Sequence, residues 1–401
     1  MSLPLFLAAF RSIKSGILAV GVSTLLVAIS TTAAFSITPF FLHEVLGINI
    51  KTIGMIEAVT ESLSQFSRLF AGFICDKMGR CKPMYIVGTF FSFLAKPLLL
   101  FASGPGLVIA SKISDRLGNG LSATPRDQYV ALSSTEGERG ANIGLTMTFK
   151  TIGCVMGPFI VMGATWFYGD SSEYIKSLLF FTTIPAFLAV YIAAVYIKEE
   201  PAYTSSKSNF NIKFLLNLRS RFWLFLGIMF FFMLARAPEC YLLLNLKDSG
   251  LPQWFCSGAI GFFNLVSVFV SYPAGFLSDK LGREKVLLIS FLALCISTTC
   301  FWSGVAIFGV VGVFFWGIQR ASSQIISVAC ISDMVDKKIL GSAIGLLNLV
   351  SGIAGMIASY ISGVVSEKYG ICMSYGVSTL CCAISCMLLY SFIIIKNTKV
   401  N

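Results

Sequence analysis

Gly72-Phe73-Ile74-Cys75-Asp76-Lys77-Met78-Gly79-Arg80-Cys81-Lys82 recurs as Gly275-Phe276-Leu277-Ser278-Asp279-Lys280-Leu281-Gly282-Arg283-Glu284-Lys285, offset by 203 residues. A motif repeated once per half marks a duplicated unit. Each residue type has a use between two helices. Gly72 and Gly275 permit close packing at a helix end, the acids Asp76 and Asp279 suit a helix N-terminus or an arginine, and Gly79 and Gly282 allow a tight turn. Asp76 and Arg80, with their copies Asp279 and Arg283, are expected to form a gating latch. If the basic residues served topology alone, the fixed Gly-x-x-x-Asp spacing would have no explanation.

Outward from the repeat, the chain is apolar almost throughout. Of its 401 residues 56% are hydrophobic and 12% charged, with a mean hydropathy of +0.82, which leaves no polar coat for soluble domains. The net charge of +11 reads as membrane topology rather than nucleic-acid binding. The 12 cysteines are scattered through apolar segments without C-x-x-C pairs, and His43 is the one histidine. A disulfide framework and an imidazole metal site are therefore not expected, nor is a cofactor.

Breaking the sequence at charges and turn residues gives apolar segments near 16–42, 52–75, 83–103, 107–130, 142–164 and 177–197, then 222–245, 254–278, 286–303, 305–332, 342–365 and 371–395. Each is long enough for a ~30 Å hydrocarbon core. The expected fold is an all-α polytopic membrane protein with 12 transmembrane helices in two pseudo-symmetric six-helix bundles, residues 1–197 and 222–401. The Ser-, Asn- and Lys-rich stretch 198–221 reads as a cytoplasmic linker. With the N-terminus inside, 19 of the 30 Lys and Arg fall on the cytoplasmic side and 4 (Lys51, Lys176, Lys247, Lys368) on the other, which places both termini in the cytoplasm. Thr32, Ala33 and Ala34 mimic a signal-peptidase site, but cleavage would invert this charge pattern, so the first span is expected to remain. No Asn-x-(Ser/Thr) sequon occurs, which fits a bacterial inner membrane.

The repeated Gly-x-x-x-Asp-(Arg/Lys)-x-Gly-Arg-x-(Arg/Lys) resembles the signature loop of the major facilitator superfamily. Arg116-Leu117-Gly118-Asn119-Gly120 on the fourth span is similar to that family's Arg-x-x-x-Gly element, with Asn119 where Gln is frequent. Gly144, Gly153, Gly157 and Pro158 on the fifth follow the order of its antiporter motif, with Val161 where a further glycine is expected. Small residues at such spacings also simply let helices approach. The resemblance implies two halves that alternate access around a central cavity lined by the first and fourth helices of each half. It names no cargo.

Ionisable side chains inside spans are costly unless paired or wetted, and are functional candidates by default. Glu57, Glu61 and Arg68 share one face of the second span, and Lys112, Asp115, Arg116 and Asn119 one face of the fourth. Counting ~1.5 Å per residue puts Glu61 and Arg116 each ~14 Å deep, where a Glu61–Arg116 pair is expected to load and release a proton; a structural ion pair is the alternative. Arg236 and Glu239, three apart on the seventh span, are expected to satisfy each other, while Arg320 on the tenth has no acid within a turn. Arg320 and Lys150 together predict a cationic interior and an anionic or carboxylate-bearing cargo. Lys96 and Lys112 are expected to snorkel to the surface.

No Gly-x-x-x-x-Gly-Lys-(Ser/Thr) loop is present for nucleotide use, and no nucleophile, base and oxyanion set can be assembled around one histidine. The expectation is a monomeric secondary transporter for a small organic molecule. Proton coupling is expected, and the glycine pattern leans towards an exporting antiporter. Uptake of an anionic metabolite and a non-transporting receptor are the competing readings.

Overall fold

The computed structural model describes residues 14–135, 138–169, 172–198, 220–335 and 340–398, all in helices or short connections. The linker expected at 198–221 lies almost wholly outside the described residues. The helices are α1 (Ser15–Phe40), α2 (Ile50–Met78), α3 (Lys82–Leu100), α4 (Pro105–Ser133), α5 (Arg139–Tyr168) and α6 (Ser172–Val195). They continue as α7 (Ser220–Leu234), α8 (Glu239–Asp248), α9 (Gln253–Leu281), α10 (Arg283–Trp302), α11 (Ala306–Met334), α12 (Leu340–Tyr369) and α13 (Ile371–Thr398). The turns between them alternate between a cation-rich end, with Lys77, Arg80, Lys280 and Arg283, and a cation-poor one.

Among the described residues, 10 helical stretches are long and apolar enough to cross a membrane, α7 and α8 counting together. The other long helices, α2 and α4, have 29 residues each and fall outside that group. They bear the charge stripes that lower their hydropathy.

The repeat extends well beyond the loop. α2 and α9 are both 29 residues and begin at Ile50 and Gln253, the same offset of 203. α4 and α11 are both 29 residues, and α5 and α12 both 30, each pair offset by 201. The two turn glycines do what the motif requires: Gly79 has φ 65° and Gly282 φ 94°, a region that other residues enter only with strain.

The seventh span is not continuous. α7 stops at Leu234 and α8 starts at Glu239, with Pro238 at φ −58° and ψ 142°. Proline has no N–H to donate into the preceding turn and disfavours the helical region for the residue before it, so Ala237-Pro238 ends α7. A milder irregularity closes α1, where Pro39 precedes a π-helical turn, Phe41–Val45.

Two compact units result. The first comprises the described residues within Met1–Phe35, Leu63–Ile160 and Ser171–Ser208, and the second those within Ser36–Ser62, Val161–Asp170 and Asn209–Asn401. The cation-poor ends of α1, α2 and α5 therefore go with the second unit, a division that differs from a cut at the linker.

In the first unit α3 packs along α4 and α6. A Cβ on Gly118 would lie 2.5 Å from the Ser92 nitrogen and 2.7 Å from the Gly88 oxygen. Ser111 and Ser114 donate to the carbonyls of Ala95 and Phe91, both at 2.7 Å. Small residues and hydroxyls thus bring backbones together where hydrocarbon supplies no hydrophobic drive. In the second unit α10 packs on α11 and α13, Ser297 donates to Gly312 at 2.7 Å, and Phe232 stacks on Phe291 at 3.9 Å.

The cation-poor parts of α1, α2 and α5 are held in the second unit by specific contacts. Tyr241 of α8 donates its hydroxyl to the Ile50 carbonyl at 2.9 Å, Lys247 pairs with Glu44, and Trp166 meets Trp254 edge-on at 4.6 Å. A Cβ on Gly54 would stand 2.3 Å from the Tyr241 hydroxyl and 2.8 Å from the Gly363 Cα. Gly54→Ala is expected to cost about 1–3 kcal/mol through overpacking. Gly227→Ala, where the added Cβ meets nothing within 4 Å, is expected to be neutral; melting curves of the purified variants compare the two.

Candidate functional site

In the second unit the break between α7 and α8 places two charged residues side by side. Arg236 lies in the non-helical link and Glu239 in the first turn of α8, where exposed N–H groups favour a negative charge. Arg236 Nη2 approaches Glu239 Oε1 at 3.2 Å, as the spacing predicts. Arg320 of α11, which has no acid on its own helix turn, donates through Nη1 to the same carboxylate oxygen. Its counter-charge thus comes from another helix. The guanidinium of Arg320 lies 5.3 Å from the Phe263 ring centre and that of Arg236 6.0 Å from Trp316. Two cations share one anion, and all three side chains retain exposure, at 20% for Arg236, 17% for Glu239 and 30% for Arg320.

In the first unit Asp115 of α4 is held by Lys96 Nζ at 2.6 Å, by the Thr31 hydroxyl at 3.3 Å and by the Asn119 amide at 3.2 Å. Lys96 is only 4% exposed, so the snorkelling expectation fails. Lys96 sits four residues from the end of α3, about 6 Å, and Asp115 ten residues into α4, about 15 Å; the ammonium reaches inward. A charge-assisted hydrogen bond to the part-buried Asp115 holds the ammonium there. Lys112 is likewise half-buried and, with Arg116, lies over the Phe35 ring, at 5.6 and 5.7 Å.

The remaining predicted residues are distributed as follows. Glu57 is buried on α2, at 3% exposure. The side chain of Glu61 lies outside the described residues, so its pairing with Arg116 is not seen, and the same holds for Gly72 and Asp76. Asp279 is exposed, while Arg283 pairs with Asp333 at 2.8 Å and also reaches Ser332, binding α11 of its own half. The geometry of Arg283 thus ties helices within one half. Gly153 and Gly157 seat α5 on α1: a Cβ on either would lie 2.5 Å from a carbonyl oxygen, of Leu25 and Ile29 respectively. Pro158 is buried beside them within the helix. At Gly144 and Gly275 an added Cβ would meet nothing within 4 Å. Lys150 is part-buried on α5. Among the described residues no group of three or more His, Cys, Asp or Glu side chains is arranged to hold a metal ion.

A family model described as Major Facilitator Superfamily matches residues 20–269 and 241–400. An uncharacterised MFS-type transporter of Methanocaldococcus jannaschii is 25% identical over 369 residues, 88% of this chain and 89% of the relative. An MFS-type transporter of the fungus Metarhizium rileyi is 28% identical over 150 residues, 37% of this chain and 31% of that protein. Among solved structures, a mutant of the nucleoside transporter NupG superposes with a TM-score of 0.80 at 14% identity, covering 94% of this chain and 99% of that one. A POT family transporter in complex with 5-aminolevulinic acid gives 0.77 at 11% identity, with 96% of each chain covered. These likenesses establish the fold.

Lys96→Met is expected to destabilise the protein by about 1–3 kcal/mol, because the part-buried Asp115 keeps Thr31 and Asn119 but loses its cation. The double variant Lys96→Met/Asp115→Leu is expected to recover most of the loss. Thermal unfolding in detergent measures both, and equal stability of the single variant and the wild type would remove Lys96 from the account.

Proposed function

The chain belongs to the major facilitator superfamily and is a membrane transporter, not an enzyme, and on that premise we propose that it moves a small anionic organic solute by alternating access. The observation carrying this reading is the sharing of Glu239 by Arg236 and Arg320. Two part-exposed guanidiniums meet at one carboxylate, and a guanidinium presents a planar fork that matches a carboxylate or phosphate. Phe263 and Trp316, both fully buried, back the two guanidiniums from within the protein.

Coupling to protons is part of the proposal, with Glu61 and Arg116 as the pair to test, since Asp115 is committed to Lys96. We assign twelve spans in two bundles, counting α2 and α4. Each of these 29-residue helices is about 43 Å long, sufficient for a bilayer. The excess of Lys and Arg at one end supports cytoplasmic termini, and the protein is proposed to act as a monomer in a bacterial inner membrane. Export is the proposed direction, supported by Gly153 and Gly157 at the antiporter-like positions on the α1 seam. Uptake is the second reading, favoured by the two arginines that meet at Glu239.

Everted, energised vesicles with an interior pH dye test the proposal against pooled organic acids and their neutral analogues. Acid-dependent proton release is expected, slowed about tenfold or more in Arg320→Gln, as loss of a charge-assisted hydrogen bond implies. In that variant Arg236 still neutralises Glu239, so folding is preserved. Glu61→Gln is expected to abolish the pH dependence. Equal transport of a neutral analogue would end the anionic reading, and uptake confined to right-side-out vesicles would reverse the direction.

A further inference from the structure

Lys150 of α5 has no hydrogen-bond or ion-pair partner among the described residues, although it stands eleven residues inside a 30-residue helix. Among the described residues its electrostatic neighbours, all within the first unit, are Arg126 of α4, the Cys154 thiol on its own helix, Arg68 of α2 and the carboxylate of Asp127. Arg126 is buried, at 7% exposure, and donates through Nε to Asp127 Oδ1 at 2.8 Å. Its Nη2 reaches Met147 Sδ at 3.7 Å, and Met147, three residues before Lys150, shares its face of α5. Thr124 donates to the Arg68 carbonyl at 3.2 Å, joining α2 to α4 at the same level. Counted from the cation-rich helix ends, Arg126 lies about 10 Å deep and Arg68 and Lys150 about 15 Å.

Arg68 has further interactions of its own, so the balance is drawn on Lys150 and Arg126 against Asp127, which leaves one positive charge without a counter-charge among the described residues. Nη1 of Arg126 and Nζ of Lys150 both lack an acceptor among the described residues. The repeat differs at these places. Positions 68, 126 and 150 correspond, by the offsets of 203 and 201 between equal-length helices, to Ser271, Ser327 and Ser351. The second half builds the same three places with neutral hydroxyls. A cation held at such depth marks a pathway or a ligand.

We infer that Lys150 and Arg126 form an oxyanion subsite in the first unit, which takes a carboxylate, phosphate or sulfonate group of a soluble anion. The inference deepens the anionic-cargo reading and rests on it for its biological meaning. Two adjacent donors of different shape, a guanidinium fork and a rotatable ammonium, match the several acceptor oxygens of such a group. Asp127, 40% exposed, repels an anion from its own side and leaves the Lys150 side open to it.

Isothermal titration of the full chain in phosphatidylcholine nanodiscs, with inorganic phosphate, sulfate and succinate as probes, tests the subsite. At least one probe is expected to bind the wild type, with affinity reduced about tenfold or more in Lys150→Gln and kept within about threefold in Lys150→Arg, which retains the charge. Unchanged binding in Lys150→Gln overturns the inference, as does equal loss in both variants or the absence of any binding to the wild type. Displacement of the probe by added phosphatidylglycerol also overturns it, since the occupant is then a lipid headgroup. Arg320→Gln separates the two claims. Binding lost there but kept in Lys150→Gln leaves the anionic cargo standing without this subsite, whereas binding that depends on Lys150 while neutral analogues are transported equally well leaves the subsite without the cargo reading.

Discussion

A charge carried into hydrocarbon must meet a counter-charge or water, and the interior of this protein is arranged around that constraint. Its 30 cations outnumber its 19 acids, and among the described residues Arg236 and Arg320 share one carboxylate. Asp115 is enclosed by Lys96, Thr31 and Asn119 and joins α1, α3 and α4. Glu239 is shared between two arginines and joins the α7–α8 break to α11. Asp115 is thus tied by one cation and two neutral donors, and Glu239 by two cations. The difference between these two acids lies in their partners, since both are carboxylates inside apolar spans.

Tight helix seams make these charge arrangements possible. Gly118 against α3, and Gly153 and Gly157 against α1, bring backbones close enough for short polar side chains to bridge them. The Ser and Thr hydroxyls along the seams return hydrogen bonds to carbonyls, so that the few long charged side chains occupy the remaining space. Gly144 and Gly275 carry no such burden in this conformation, although their motifs contain them as regularly as the others.

The fold was largely legible in the sequence because its signals are local. Apolar length, the bias of Lys and Arg and the repeated loop each survive without knowledge of tertiary neighbours, and the equal helices offset by 203 and 201 carry the repeat to nearly the whole chain. The site was legible only in part. Arg236 with Glu239 is a contact three residues apart, so spacing sufficed; Arg320 and Lys96 find acids on other helices, and one-dimensional spacing cannot show which helix faces them. The interruption at Pro238 had a signal, an Ala-Pro step inside an apolar run, which hydropathy alone passes over. Snorkelling was assigned to Lys96 from its nearness to a helix end, yet the depth of Asp115 decides which way that side chain runs.

The Lys247–Glu44 pair joins positions separated by 203 residues, the offset of the repeat in that part of the chain, so the two residues are structural counterparts of each other. In an assembly of two identical halves such a position would face its own copy, and either residue would oppose a like charge. An attractive pair there requires the two copies to differ. The contact therefore records a time after duplication, when the halves were already encoded in one polypeptide and could evolve separately. Asymmetry of the same kind sets Arg68, Arg126 and Lys150 of one half against three serines of the other.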